Sequence, residues 1–224
     1  MQPRFAVFVF ALALLAGSTA RGQEQGHDAT SHRSFADVEH WTSVFDDPKR
    51  DAWQKPKELV TALGLTPGQS VADLGAGTGY LLPYLSAAVG PEGSVLAIDP
   101  EPTLVAHMRD RAEKSGLANV TPVLGSLDHP RIPPASVDLV LILDTFHHID
   151  DRLAYVRALQ KSLRPGGRIA IIDWQKRDLP VGPNRAHKLP RHHVVDEMEQ
   201  SGYALVEEPA ILPYQYFLLF RPRT

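Results

Sequence analysis

Three glycines at alternate positions, Gly75, Gly77 and Gly79, stand directly behind a short run that is apolar but for one acid, Val71-Ala72-Asp73-Leu74. The run reads as a buried strand and residues 80–88 as helix-forming, so the glycines occupy a strand-to-helix turn. Glycine reaches positive φ and carries no Cβ, which lets a ligand lie against the backbone at the strand's end. Spacing narrows the choice of ligand. A dinucleotide loop is G-x-G-x-x-G and a nucleotide phosphate loop is G-x-x-x-x-G-K-[ST]. This chain has G-x-G-x-G with Asp73 two residues ahead, and Tyr80 stands where the dinucleotide pattern needs its third glycine. An acid ahead of the loop suits a ligand with a cationic amino-acid end better than one with a pyrophosphate.

Beyond this loop the chain alternates. Strand candidates rich in Val, Ile and Leu fall at 70–74, 94–99, 120–124, 137–143 and 167–173, with helix candidates at 79–89, 101–115 and 151–163 between them. Such alternation predicts a doubly wound α/β fold, Rossmann-like, with a mostly parallel sheet covered on both faces. A last helix near 191–201 precedes strands near 203–208 and 214–221, which predict an antiparallel carboxy-terminal hairpin on the sheet edge and a total of seven strands. Upstream, Phe35, Val38, Trp41 and Phe45 fall at helical spacing and 51–63 reads as a second helix stopped by Gly64.

In an open α/β sheet ligands bind beyond the carboxyl ends of the strands, and polar residues follow each strand here. The second strand ends in Asp99, 20 residues beyond Gly79 and followed by Pro100. The third leads into Gly125-Ser126-Leu127-Asp128, and the fourth into Asp144-Thr145-Phe146-His147-His148. An acid at the Asp99 position either accepts both hydroxyls of a ribose or caps the next helix. Leu163-Arg164-Pro165-Gly166-Gly167 precedes the fifth strand. In this order the motifs resemble those of the class I S-adenosylmethionine-dependent methyltransferases, over about residues 50–221.

That resemblance implies S-adenosylmethionine as cofactor and methyl transfer as the activity. It places the methionyl part of the cofactor on Gly75, Gly77 and Gly79 with Asp73 near its amino group, the ribose on Asp99, and Pro100 along the adenine or its sugar. The family often has an aspartate where Ser126 stands, reaching the adenine amine; here either Ser126 or Asp128 takes that part, with Leu127 against the ring. Asp144 and Thr145 belong to the segment that borders the methyl group and the acceptor. His147 and His148 are the candidate proton acceptors, since imidazole titrates near working pH; packing and a backbone hydrogen bond are the alternative. No metal is expected, because the ten histidines show no ligand spacing such as H-E-x-x-H. Helices over about 35–64 are expected to fold over the cofactor as a lid, with Trp53 either excluding water there or packing in the core.

Totals exclude more than they identify. The chain has 224 residues, 43% hydrophobic, with net charge −3 and no basic block, so a nucleic-acid footprint is missing. Zero cysteines exclude disulfides, thiolate metal sites and thiol nucleophiles, and argue against methyltransferases that bind their substrate through cysteines, such as arsenite methylases. Arg4, an apolar run over 5–17 and the small residues Ser18-Thr19-Ala20 predict a signal peptide over 1–22, followed by a flexible leader over 23–34 and the methyltransferase domain over 35–224. That run of 13 residues is short for a membrane span. Cleavage predicts an exported protein, periplasmic or secreted, with no stable membrane span; an uncleaved anchor is the alternative. The expected partner is a small-molecule acceptor, whose identity and the oligomeric state are not readable. Residues 175–190 form either a basic lid over an anionic acceptor or a solvated loop. Against the enzyme stands a binding module of the same fold that holds a nucleoside ligand and transfers nothing.

Overall fold

The structure, a computed structural model, describes Met1, residues 34–126 and residues 128–223. The expected signal peptide beyond Met1, nearly all of the expected leader and the adenine contact assigned to Leu127 lie outside the described residues.

Seven strands form one sheet in the order β3-β2-β1-β4-β5-β7-β6. They are β1 (Ser70–Leu74), β2 (Ser94–Asp99), β3 (Val120–Leu124), β4 (Val137–Leu143), β5 (Leu163–Trp174), β6 (Tyr203–Glu207) and β7 (Gln215–Pro222). β1 to β5 pair in parallel, whereas β7 runs antiparallel to both β5 and β6. The expected doubly wound sheet with an antiparallel carboxy-terminal hairpin is what forms. Side-chain alternation explains the apolar runs. In β4, Leu139, Leu141 and Leu143 enter the core on one face, while Val140 and Ile142 enter the core on the other.

Helices α1 (Val38–Phe45), α2 (Asp51–Gln54) and α3 (Pro56–Ala62) precede the sheet, with a 3-10 turn over Pro48–Arg50. They are followed by α4 (Leu82–Val89), α5 (Pro102–Lys114), α6 (Arg152–Gln160) and α7 (Arg191–Gln200). Three expectations need correction. The single helix over 51–63 is broken, because Lys55 precedes Pro56 and adopts a left-handed conformation with φ of 47°. The helix after the glycine loop begins at Leu82 rather than 79, the intervening residues being turns. β5 begins at Leu163, so Pro165-Gly166-Gly167 is an irregularity inside the strand, where its register against β4 shifts. The carboxyl ends of β1, β2 and β4 thereby meet at the centre of one sheet edge.

Candidate functional site

The glycine loop is folded onto the end of β2. Gly75 and Ala76 N–H groups donate to Ile98 O at 2.8 and 3.1 Å, and Gly77 N–H donates to Asp99 Oδ2 at 2.9 Å. Gly75 has φ of 76°, and a Cβ there would fall 2.2 Å from Thr145 Oγ1. The absent side chain is what lets Thr145, at the end of β4, close over β1. Gly125 is bare for a related reason: a Cβ there would lie 2.8 Å from Ile98 Cγ2.

Two acids stand beside this loop. Asp99 accepts from Glu101 N–H at 2.9 Å through Oδ1 and from Gly77 through Oδ2, so each carboxylate oxygen keeps acceptor capacity for a further donor. Burial pushes its carboxyl up to about 6, against the pull of those two N–H groups. Asp73 is 4% exposed, and burial followed by the field of Asp99 pushes it up to about 7, with Arg50 pulling it down. Two desolvated carboxyls thus stand at the ends of neighbouring strands, a pairing whose chemistry suits cationic and hydroxyl-bearing ligands.

A slot continues from the loop, lined by Leu74, Ile98, Pro100, Ser126, His148, Ile149 and Tyr155 among others. Its walls are apolar with a polar rim, as a flat base requires. Ser126 lines the slot and its hydroxyl donates to Asp128, which is itself exposed. Between the two candidates for the adenine amine, Ser126 is the one at the slot. Tyr155 closes the far side, its hydroxyl 3.5 Å from Ser126 O.

The two histidines occupy different settings. His147 is buried, and its Nδ1 lies 2.9 and 3.0 Å from the oxygens of Asp173, so Nδ1–H donates to that carboxylate. Burial opposes its protonation, yet Asp173 raises its pKa above the usual histidine range. His148 lines the slot and meets Phe35 edge-on at 5.9 Å. Asp144 lies just beyond β4 with φ of 51°, a strained setting for a non-glycine residue. It accepts from Gln215 Nε2 at 2.7 Å, and burial pushes its carboxyl up to about 7. Among the described residues, no group of three or more His, Asp or Glu is placed to hold a metal ion.

The amino-terminal helices lie over this edge. A Cβ at Gly77 would be 3.5 Å from the Phe45 ring. Asp46 accepts from Thr78 Oγ1 at 3.0 Å and from Arg111 Nη1 at 2.7 Å, tying the end of α1 to the glycine loop and to α5. Trp53 packs against Trp174 at 5.3 Å and Tyr214 at 6.3 Å, a packing role at the rim of the sheet. The segment 175–190 is held down rather than free: Lys188 is buried and donates to Arg177 O at 2.9 Å. A second hollow opens beside it, lined by Gln175, Lys176, Leu212, Gln215 and Tyr216 among others.

Sequence reasoning missed Arg50, Gln54, Asp173 and Gln215. Asp173 sits near the carboxyl end of β5, so the rule that polar residues gather at the carboxyl ends of strands would have found it. Arg50, Gln54 and Gln215 carry no such signal, since Gln54 Nε2 donates to Gln215 Oε1 at 2.9 Å across 161 residues.

Sheet order, bare glycine loop and paired acids together define the class I S-adenosylmethionine-dependent methyltransferase fold. Residues 71–167 match the family described as a methyltransferase domain. A solved S-adenosylmethionine-dependent methyltransferase from Aquifex aeolicus superposes with a TM-score of 0.78 at 28% identity, covering 84% of this chain and 98% of that one. An arsenite methyltransferase from Halobacterium salinarum is 30% identical over 155 residues, 69% of this chain and 37% of its own. The ubiquinone/menaquinone biosynthesis C-methyltransferase of Vibrio vulnificus is 32% identical over 118 residues, 52% of this chain and 45% of its own. The chain thus spans less than half the length of these curated relatives. S-adenosylmethionine is the cofactor of the class, and the residues present fit it: Asp73 for an ammonium, Asp99 for paired hydroxyls, an apolar slot for a base.

Proposed function

We propose that this protein transfers the methyl group of S-adenosylmethionine to a small-molecule acceptor. The observation that carries the reading is the grip on Asp99, whose two oxygens are aimed by Gly77 and Glu101 N–H groups while retaining acceptor capacity beside the glycine loop. When bound, the cofactor supplies a methyl carbon already activated by its sulfonium, so the chain's task is to bind, orient and exclude water. Asp73 holds the amino end, Thr145 and the loop fix the sulfur end, and α1 with Phe45 shuts out solvent. His148 faces the slot and is the proton acceptor best placed for an acceptor hydroxyl or amine. His147 holds β5 and the segment after β4 together through Asp173. The acceptor enters by the hollow beside Gln215. Arsenite is a poor candidate for it despite the likeness above, because the chain has no cysteine.

Calorimetric titration with S-adenosylmethionine, beside Asp99→Ala and an NADH control, tests the reading. Saturable binding lost in Asp99→Ala supports it; a folded wild-type protein that binds nothing breaks it, and binding without turnover across an acceptor screen leaves a sensing module. We further propose that residues 1–22 direct export. Cell fractionation with amino-terminal sequencing of the recovered protein decides this, and a cytoplasmic protein retaining residues 1–22 would refute it.

A further inference from the structure

Arg50 carries a charge that the fold leaves incompletely answered. Its side chain is 12% exposed, with the guanidinium 4.2 Å from the centre of the Tyr80 ring and 5.7 Å from that of Trp53. Nε and Nη2 donate to Gln54 Oε1 at 3.3 and 3.1 Å, and Nη1 donates to Phe45 O at 2.9 Å. Both acceptors are neutral. The carboxylate oxygen that comes within ion-pair range, Asp144 Oδ2, is 3.8 Å from Nη2, too far for a hydrogen bond. Of the five guanidinium N–H groups, three are engaged, which leaves one on each terminal nitrogen. Asp144, Asp46 and Asp73 act on this desolvated cation through their fields, yet its hydrogen bonds end on neutral oxygens, and two donors left on the terminal nitrogens are what a carboxylate takes.

Position identifies that partner. Arg50 interacts electrostatically with Asp144 and Asp46 and also with Asp73, the acid assigned to the cofactor's ammonium. Its Phe45 and Tyr80 neighbours flank the glycine loop. An α-amino acid presents its ammonium and its carboxylate from one carbon, so a ligand whose ammonium meets Asp73 brings its carboxylate to the neighbouring cation. We propose that Arg50 holds the α-carboxylate of the cofactor's methionyl end, so that the site discriminates for ligands that carry it. The inference rests on the cofactor reading above. It makes the amino-terminal segment part of the binding site, with Gln54 and the Phe45 carbonyl acting as positioning groups for the guanidinium.

The test is calorimetry on the full chain with S-adenosylhomocysteine and with 5′-methylthioadenosine, which lacks the amino-acid end. Arg50→Ala is expected to weaken S-adenosylhomocysteine about 10–100-fold, the worth of a charge-assisted pair, and to leave methylthioadenosine within about twofold on the same grounds. Arg50→Lys keeps the charge without the fork and is expected to fall between. Equal losses for both ligands, or no loss for either, overturn the role of Arg50 while leaving the cofactor reading intact. If Arg50→Ala does not fold, the wild-type protein decides by its preference for S-adenosylmethionine over the decarboxylated compound, expected to be tenfold or more on the same estimate; equal affinity overturns the proposal. A wild-type protein that binds none of these ligands overturns the cofactor reading and this inference with it.

Discussion

Nδ1 of His147 bridges both carboxylate oxygens of Asp173, at 2.9 and 3.0 Å, and the same carboxylate accepts from the His147 backbone N–H at 3.2 Å. Two segments are pinned by this contact: the end of β5 and the turn that follows β4. The pair is buried on both sides, so its energetics depend on protonation of the imidazole.

His147→Gln is expected to cost about 2–3 kcal/mol at acid to neutral pH, because it leaves a buried carboxylate short of its cation. The folded-state pKa of His147 is raised, with Asp173 overcoming the effect of burial. The contribution is therefore fully present below the unfolded value near 6.5 and is lost as pH rises through the folded value. Urea midpoints of wild type and variant should differ most near pH 6 and converge on the alkaline side. A gap that widens with pH would contradict this.

Asp73 has the same sign in a lower pH window, and its cause is burial rather than a charged partner. Its folded-state pKa of about 7 lies above the ordinary carboxylate value, so the folded protein binds this proton more tightly than the unfolded chain. Stability then falls as pH rises between about 4 and 7. Asp73→Asn should flatten that fall and be the more stable protein at pH 8, by on the order of 1.4 kcal/mol per unit of the shift removed. Cofactor affinity should move the other way, rising with pH towards 7 in the wild type and staying flat and weak in the variant. Denaturation and calorimetry across pH 5–8.5 measure both.

Substitution of Gly75 separates strain from collision. At Gly116 a Cβ meets nothing within 4 Å, so Gly116→Ala suffers only its φ of 65° and should cost about 1 kcal/mol. Gly75→Ala has similar backbone strain with φ of 76°, yet its Cβ would fall on Thr145. It should cost at least about 2 kcal/mol more. Thr145→Gly in the same chain should recover part of that difference, and thermal unfolding of the three variants measures it.

Asp46 ties α1 to the loop and to α5, so its removal should loosen the lid without touching the acids below. Asp46→Ala is expected to raise amide exchange across residues 38–45 and to speed cofactor release about tenfold, as the loss of a charge-assisted contact implies. Unchanged exchange in that segment would mean that Phe45 and Trp41 hold the lid by packing alone.

His148→Ala is expected to lower turnover of an identified acceptor by about 100-fold or more if the acceptor must lose a proton, with cofactor affinity reduced far less. Steady-state and binding measurements on the same variant distinguish the two.

Much of this was readable from the chain because it is local. The apolar runs of β1 and β4 fall within the expected bounds, and Asp73 and Asp99 announce themselves as acids at strand ends. The break at Lys55 was readable only from Pro56: the residues around it favour a helix, and the proline with the preference of the residue before it is what argues for a break. Arg50 reads as one more charge in a polar stretch until Tyr80, Phe45 and Gln54 enclose it. Gln215 lies at the head of a strand that looks apolar and ordinary, and its role appears only once β7 inserts between β5 and β6. What escaped is the set of polar groups whose partners are distant in sequence, since no window along the chain contains both members.

The Gln54–Gln215 hydrogen bond ties the segment before the first strand to the last strand in the sheet order of synthesis. Closing that span is entropically demanding, and β7 pairs with β5 along its length. The wall beside Asp144 therefore depends on the last strand: without β7 the glycine loop and Asp99 keep their own contacts, yet Asp144 loses Gln215. The two sides of this edge are thus built from opposite ends of the chain, and their meeting is set by topology rather than by any local run of residues.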